Sequence, residues 1–256
     1  MNLRTLFFGA LLGAAGPLTA AESAKFVEVR GDVARPGPQA VTPDTRLADI
    51  LRGARVDTEG YWLGAAWLQP TRVAEQKRLK AGILFDLGLL QQKALLDARP
   101  ELAALAERLR GQVAGQPVSG RRIHLLDPLA VEVTPEQNSR VQPGDVFVFP
   151  TRPKRVRVTG AVRADCDLDY QPLRSARDYA SACAQGTEAD PDYLYVIQPD
   201  GQVSHPGIAL WNREDGQPAA PGATILVPLR DAGAYPQLNE EMAAFLATRV
   251  PSEVTP

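Results

Sequence analysis

Hydrophobic positions along the chain follow two periods, and the switch between them marks its elements. Val27, Val29 and Val33 alternate with polar neighbours, which predicts a short opening strand around Val29-Arg-Gly31-Asp-Val33. Arg35-Pro36-Gly37 then reads as a turn and Ala40-Val41 as a second short strand. From Leu47 the period lengthens. Leu47, Ile50, Leu51 and Ala54 share one helical face after the polar lead-in Thr42-Pro43-Asp44-Thr45, and Gly53 begins the exit. The same series is written a second time, starting at Val158-Thr-Gly160-Ala-Val162 and reaching Asp178-Tyr179-Ala180. Gly31 to Asp49 is a step of about 18 residues, and Gly160 to Asp178 repeats it without a gap. A closing phrase is also doubled: Pro143-Gly144-Asp-Val-Phe-Val-Phe-Pro150 matches Pro221-Gly222-Ala-Thr-Ile-Leu-Val-Pro228. Each unit therefore opens with strand, turn and helix and closes with a Pro-Gly turn, a buried-type strand and a proline.

The two units differ in length. Gly31 precedes Gly144 by about 113 residues and Gly160 precedes Gly222 by about 62, so the first carries about 51 more. Helix-forming residues from Ala65 to Leu96, with Leu79, Ile83, Leu87 and Leu90 at helical spacing, predict one helix there. Arg99-Pro100 breaks it, and Glu101 to Arg110, with Leu102, Leu105 and Leu109 on one face, predicts a second. The expectation is an αα-hairpin inserted at about 61–115. Gln116 to Arg122 returns the chain to the sheet; Ile123, Leu125 and Leu126 read as a strand, and Val131-Glu-Val133 as another extended piece. In the second unit Tyr193 to Ile197 and Ile225 to Val227 read as strands, with Pro199-Asp-Gly201 a turn. Beyond 231 a last helix is expected, with Leu238, Met242, Phe245 and Leu246 as a narrow apolar stripe, Pro236 in its first turn and Pro251 as its stop. It is too short to cross a bilayer, so packing on the body or on a partner is expected.

The N-terminus changes the compartment. Arg4, the apolar run Leu6 to Ala15 and the small residues Ala20 and Ala21 read as a cleaved secretory signal over 1–21. No later stretch approaches a membrane span, so the mature chain is expected to have no transmembrane anchor and to be periplasmic. The formal net charge of −2, with acids and bases interspersed, gives no electrostatic footprint for nucleic acid. Two cysteines exist, Cys166 and Cys183, and in an oxidising compartment a pair this close predicts a disulfide. By the repeat, Cys166 stands where Gly37 stands and Cys183 where Ala54 stands, so the bridge would tie hairpin tip to helix end and contribute about 3 kcal/mol.

Little in the sequence assembles into a reaction centre. His124 and His205 lie in different units, which suggests neither a nucleophile-histidine-acid set nor a three-ligand zinc site. Asp165-x-Asp167-x-Asp169 has Tyr170 where a calcium loop needs glycine and Ala176 where the closing glutamate belongs, so it reads as a solvated loop. Gly31 to Gly37 lacks the lysine and hydroxyl of a phosphate loop. No catalytic residue, metal site or cofactor is expected.

Taken in order, these motifs resemble a known family. The V-x-G-x-V opening, the Pro-Gly turn, the Leu-x-Asp-Ile-Leu helix and the closing Pro-Gly-Asp-x-Phe-x-Phe-Pro resemble the soluble-ligand-binding (SLBB) β-grasp unit of polysaccharide export outer-membrane proteins. The insertion after Tyr61-Trp62, the Ser-Gly120-Arg121 return, Leu126-Asp127-Pro128 and the terminal helix are similar to the GfcC-like capsule biosynthesis family. The resemblance implies an α+β fold of two tandem β-grasp domains, the first over 22–152 and the second over 153–230, with a helix and tail over 231–256. It implies a periplasmic accessory role in capsule or exopolysaccharide biosynthesis or export, with polysaccharide or envelope export and assembly proteins as partners. The second unit departs from the pattern at Asp165-Cys166 and Asp178-Tyr179, where the first has Pro36-Gly37 and Asp49-Ile50.

The resemblance also implies an arginine in a surface groove near the return turn, here Arg121, able to hold a carboxylate or phosphate of an acidic glycan. The alternative is a structural pair with Asp127 or a hairpin carboxylate. Tyr61, Trp62 and Trp67 would supply an adjoining surface for sugar stacking, or else pack the hairpin base. Two further functions stay open: an enzyme modifying capsular polysaccharide with Arg121 and Asp127 in its cleft, and a scaffold that docks through its last helix.

Overall fold

The computed structural model describes residues 25–57, 60–214 and 218–250. The signal sequence expected over 1–21 and the Pro251 stop lie outside the described residues. The repeat written in the sequence is a repeat of structure. The strands of the first unit are β1 (Lys25–Gly31), β2 (Gly37–Val41), β3 (Ala66–Leu68), β4 (Arg121–Arg122) and β5 (Val146–Phe149), in sheet order β2-β1-β5-β3-β4. Those of the second are β6 (Arg155–Gly160), β7 (Cys166–Asp169), β8 (Tyr195–Ile197), β9 (Val203–Ser204) and β10 (Thr224–Val227), in order β7-β6-β10-β8-β9. In each sheet an antiparallel hairpin opens, its first strand runs parallel to the last, and the third strand (β3 or β8) is antiparallel both to that last strand and to the edge strand (β4 or β9). This is the β-grasp order, twice over, in an α+β chain.

Register repeats as well. Gly31 lies opposite Phe149 and Gly160 opposite Val227. A Cβ on Gly31 would stand 2.0 Å from the Phe149 carbonyl oxygen and one on Gly160 2.2 Å from that of Val227, with φ of +95° and +99°. The same oxygens accept from the next amides, Asp32 at 2.7 Å and Ala161 at 2.8 Å. Glycine stands at both places because the strand end and the closing strand touch main chain to main chain.

Each unit's first hairpin leads into its helix. α1 (Leu47–Ala54) buries Leu47, Ala48, Ile50, Leu51 and Ala54 against the first sheet. In the second unit Ser175 caps the N-terminal end of the equivalent helix by accepting from the Asp178 amide at 3.1 Å, while its hydroxyl donates to the Asp178 carboxylate at 2.7 Å. Cys166 and Cys183 form the expected disulfide, with Cα atoms 6.0 Å apart. Both units also tie hairpin to helix end by a main-chain bond, the Arg35 amide donating to Ala54 O at 3.0 Å in the first and the Arg163 amide to Ala184 O at 2.8 Å in the second.

The structure corrects the expected course of the insertion. Its helices are α2 (Val73–Leu96) and α3 (Pro100–Gly115). Ala65 to Leu68 is not helical, because Ala66–Leu68 is β3, with Trp67 paired to Phe147 and to Arg122 across the sheet. The insertion therefore interrupts the β3–β4 hairpin, whose counterpart in the second unit is the short turn 198–202 between β8 and β9. Two readings downstream also change. Ile123 to Leu126 forms no strand beyond Arg121–Arg122, and Pro128–Val133 is a short helix, α4, rather than extended chain. Asp127 explains the second: its side chain accepts from the Leu129 amide at 2.9 Å, and Pro128 occupies the first helical position.

The second unit's grasp helix is α5 (Ala176–Ala182) and the terminal helix is α6 (Leu238–Ala247). The cores divide unexpectedly. One apolar cluster joins β1, β3, β5, α1 and α4, including Trp67, Phe147 and Val131. The other joins the second sheet to α5, to α6 and to the insertion helices through Ile83, Leu87, Leu90, Leu102, Ala106 and Leu109. Chain inserted in the first unit thus roofs the core of the second. At the hairpin tip Arg99 pairs with Glu188 at 2.6 Å, in a second-unit loop, and with Asp231 at 3.2 Å, in the segment that leads from β10 to the terminal helix. Among the described residues no helix is long and apolar enough to cross a membrane.

Candidate functional site

Of the residues that the sequence singled out, Arg121 and Tyr61 lie where the two units join, each donating to a carbonyl of the second unit. Arg121 is 5 % exposed, and its guanidinium donates to Arg249 O at 2.7 Å, Ala65 O at 3.0 Å and Ala247 O at 3.4 Å, and to Pro199 O. It therefore fastens β4 to the end of α6 and to the β8–β9 turn. Its Nε–H has no partner, and burial pushes the guanidinium down to about 10. Neither Asp127 nor a hairpin carboxylate pairs with it; Asp127 is occupied in capping α4. The cleft expected between Arg121 and Asp127 is accordingly not formed.

The three aromatics separate. Trp67 is wholly buried; its indole donates to Asp145 Oδ2 at 2.8 Å, and its ring meets Phe147 and His124 at 5.2 and 5.3 Å. A ring enclosed in this way has no face for a sugar. Tyr61 is half-buried and donates its hydroxyl to Pro221 O of the second unit, with Arg152 lying 5.5 Å over its ring. Burial pushes this phenol well above its ordinary range. Trp62 is half-buried at the start of a short 3₁₀ turn, Trp62–Gly64.

Beside Arg121 a groove follows the second sheet under α6. Two adjoining hollows of about 400 and 320 Å³ share Arg157, Leu246, Arg249 and Val250. Arg121, Arg155, Arg157 and Arg249 line them, against two carboxylates, Asp165 and Asp167. Asp165 is committed: it pairs with Arg157 at 2.7 Å and Arg108 at 3.5 Å, and accepts from Thr159 Oγ1 at 2.9 Å and Gln112 Nε2 at 3.1 Å. Asp165 is thus an ion-pair hub, and the run expected as a solvated loop is strand β7 from Cys166, with Asp169 exposed and facing Arg155 at 3.7 Å. Arg249 differs from its neighbours. It is half-buried, its side chain hydrogen-bonds to no described residue, and burial together with nearby Arg157 holds its guanidinium below the ordinary value. A desolvated cation that makes no side-chain hydrogen bond or ion pair with a described residue, with Asp167 and Asp165 near enough to favour its charge, is the part of this groove able to take an anion. Nothing in the sequence marks Arg249, which follows an ordinary helix end.

Among the described residues no group of three or more His, Cys, Asp and Glu side chains is placed to hold a metal. His124 donates from Nε2 to Gln137 O at 2.8 Å in the first unit. His205 sits in the second, stacked on Tyr195 at 4.1 Å and on Tyr193 at 4.9 Å.

Fold and groove together define a tandem β-grasp protein whose units are locked by a helical insertion and a terminal helix. The family described as Capsule biosynthesis GfcC, N-terminal, matches residues 32–150, and Capsule biosynthesis GfcC C-terminal matches residues 165–251. The chain belongs to the GfcC capsule biosynthesis family. It is 27 % identical over 216 residues to the Uncharacterized protein YjbG of Escherichia coli (strain K12), covering 83 % of this chain and 86 % of that one. Membership associates the chain with capsule or exopolysaccharide biosynthesis. That association and the disulfide are consistent with an envelope protein.

Proposed function

We propose that the protein is a non-catalytic periplasmic accessory factor of capsule or exopolysaccharide biosynthesis or export, and that the groove beneath α6 holds an acidic group of the glycan. The observation that carries this reading is Arg249, a half-buried guanidinium that makes no side-chain hydrogen bond or ion pair with a described residue, in a groove with more arginines than carboxylates. Family membership supplies the class of molecule; the disulfide and the N-terminal apolar run support export. Arg121 contributes charge from the groove floor rather than a free fork, since both of its Nη groups are spent on carbonyls.

The test is equilibrium binding of oligosaccharides prepared from an acidic capsular polysaccharide, with a reduced (carboxyl-free) version as control. The expected result is salt-sensitive binding that Arg249→Ala weakens about tenfold or more, the loss anticipated for one charge-assisted contact. Equal binding of the acidic and reduced forms, or binding indifferent to Arg249→Ala, would overturn the groove assignment. A deletion strain with unchanged surface polysaccharide would overturn the role itself.

A further inference from the structure

A second feature of this face lies away from the arginines. Val196 faces Ser204 and Ile197 faces Val203, so the antiparallel register continues to set His205 against Tyr195, and the bridge between Tyr193 and Gly207 extends it. Tyr193, at an isolated bridge just before β8, and Tyr195, two residues on in the same extended chain, both lie against His205, while Leu194 and Val196 between and beside them are buried. Three rings therefore lie in a row: His205 is stacked on Tyr195 at 4.1 Å and 17°, and on Tyr193 at 4.9 Å and 27°. Trp211 closes the row edge-on to Tyr193, at 6.4 Å and 85°. Trp211 is 71 % exposed, and His205 is exposed as well.

Ordinary packing does not account for this row. Tyr195 touches the core, but Trp211 and His205 add rings on the solvent side, where burying them brings the domain nothing. The hydroxyls of Tyr193 and Tyr195 and the indole N–H of Trp211 donate to no described residue, so the shelf keeps polar tips beside its flat faces. The faces that Tyr193, Tyr195 and His205 turn to one another are taken, so the open face is that of Trp211, 71 % exposed, beside the edges and free donors of the row, and this pairing is complementary to a pyranose. Its C–H face meets the negative face of an aromatic ring while its hydroxyls bond at the rim.

We infer that Tyr193, Tyr195, His205 and Trp211 form a stacking site for neutral sugar residues, separate from the arginine groove. The inference rests on the reading of the protein as a glycan binder, and it deepens that reading: α6 packs on β8 and β9 and also walls the groove, so one chain could cross both sites, an uncharged residue on the shelf and an acidic one beneath the helix.

The test uses neutral probes so that the two sites answer separately. Cellopentaose, maltopentaose and the carboxyl-reduced capsular oligosaccharide are titrated against the full chain by calorimetry and tryptophan fluorescence. The expected result is saturable binding of at least one probe, insensitive to salt. Trp211→Ala should weaken it about tenfold, as loss of one stacking partner does, while Arg249→Ala leaves it unchanged. Tyr193→Phe, which keeps the ring and removes the hydroxyl, should cost less than Trp211→Ala. The inference is overturned if no neutral probe binds, or if binding survives Trp211→Ala intact. It is also overturned if Trp211→Ala instead abolishes self-association of the sugar-free protein. Loss of acidic binding in Arg249→Ala with the neutral binding absent would retain the groove and discard the shelf.

Discussion

The imidazole of His124 lies against the buried Trp67 ring and donates to the Gln137 carbonyl. Burial, aided by Arg122, holds it below the ordinary value of 6.5. The unfolded chain therefore takes up a proton that the folded chain refuses, so stability is complete above that ordinary value and declines as pH falls below it towards the folded-state pKa. Chemical denaturation between about pH 7 and pH 5 should show this decline, and His124→Gln should flatten part of it. Residues are the hardest scale to interpret from sequence. A Gly-Arg pair at the end of an insertion reads the same whether the arginine faces solvent or four carbonyls, and Arg121 faces carbonyls. Trp67 stands out in sequence as an aromatic near the insertion, yet the strand that buries it, Ala66–Leu68, is only three residues long and is swamped by helix formers after it. Tyr193, Tyr195 and His205 carry a weak signal, an alternating pair and a partner set opposite by register, that becomes visible only once β8 and β9 are paired.

Among the elements, the Cys166–Cys183 bridge is a tie that the second unit adds to a main-chain bond between hairpin and helix end that both units make. It joins the β7 end of a hairpin to the C-terminal end of α5, across a sequence separation of 17. Closing a loop of that size predicts that the Cys166→Ser, Cys183→Ser double variant loses about 3 kcal/mol in denaturant titration, and that reductant lowers the wild-type midpoint but not the variant's. The doubled strand-turn-helix opening and Pro-Gly closing strand are legible because each demands glycine or an apolar run at fixed offsets: Gly31 with Gly160, Gly144 with Gly222. α4 is hidden because Val131 and Val133 favour strand, while the decisive group is the Asp127 cap before them.

At the scale of the molecule, the insertion belongs to one unit by sequence and to the other by packing. Replacing 73–115 by a short turn copied from 198–202 should leave the first sheet folded, since its core has no residue from α2 or α3. The second unit should lose stability and bind a hydrophobic dye, because Ile83, Leu87, Leu102 and Leu109 no longer cover it. Fluorescence of the buried Trp67 against dye binding separates the two effects. The length difference between units shows that an insertion exists and where its helices run; which core it covers depends on a direction of departure that no residue pattern encodes.

That sharing has an outcome in time. A secretory pore delivers the chain N-terminus first, so the first sheet can close once Phe149 has emerged, whereas α2 and α3, already delivered, have no completed core to rest on until β10 and α6 arrive. Chains halted before Leu238 would carry a bare leucine-rich hairpin, and would be the species most in need of a chaperone.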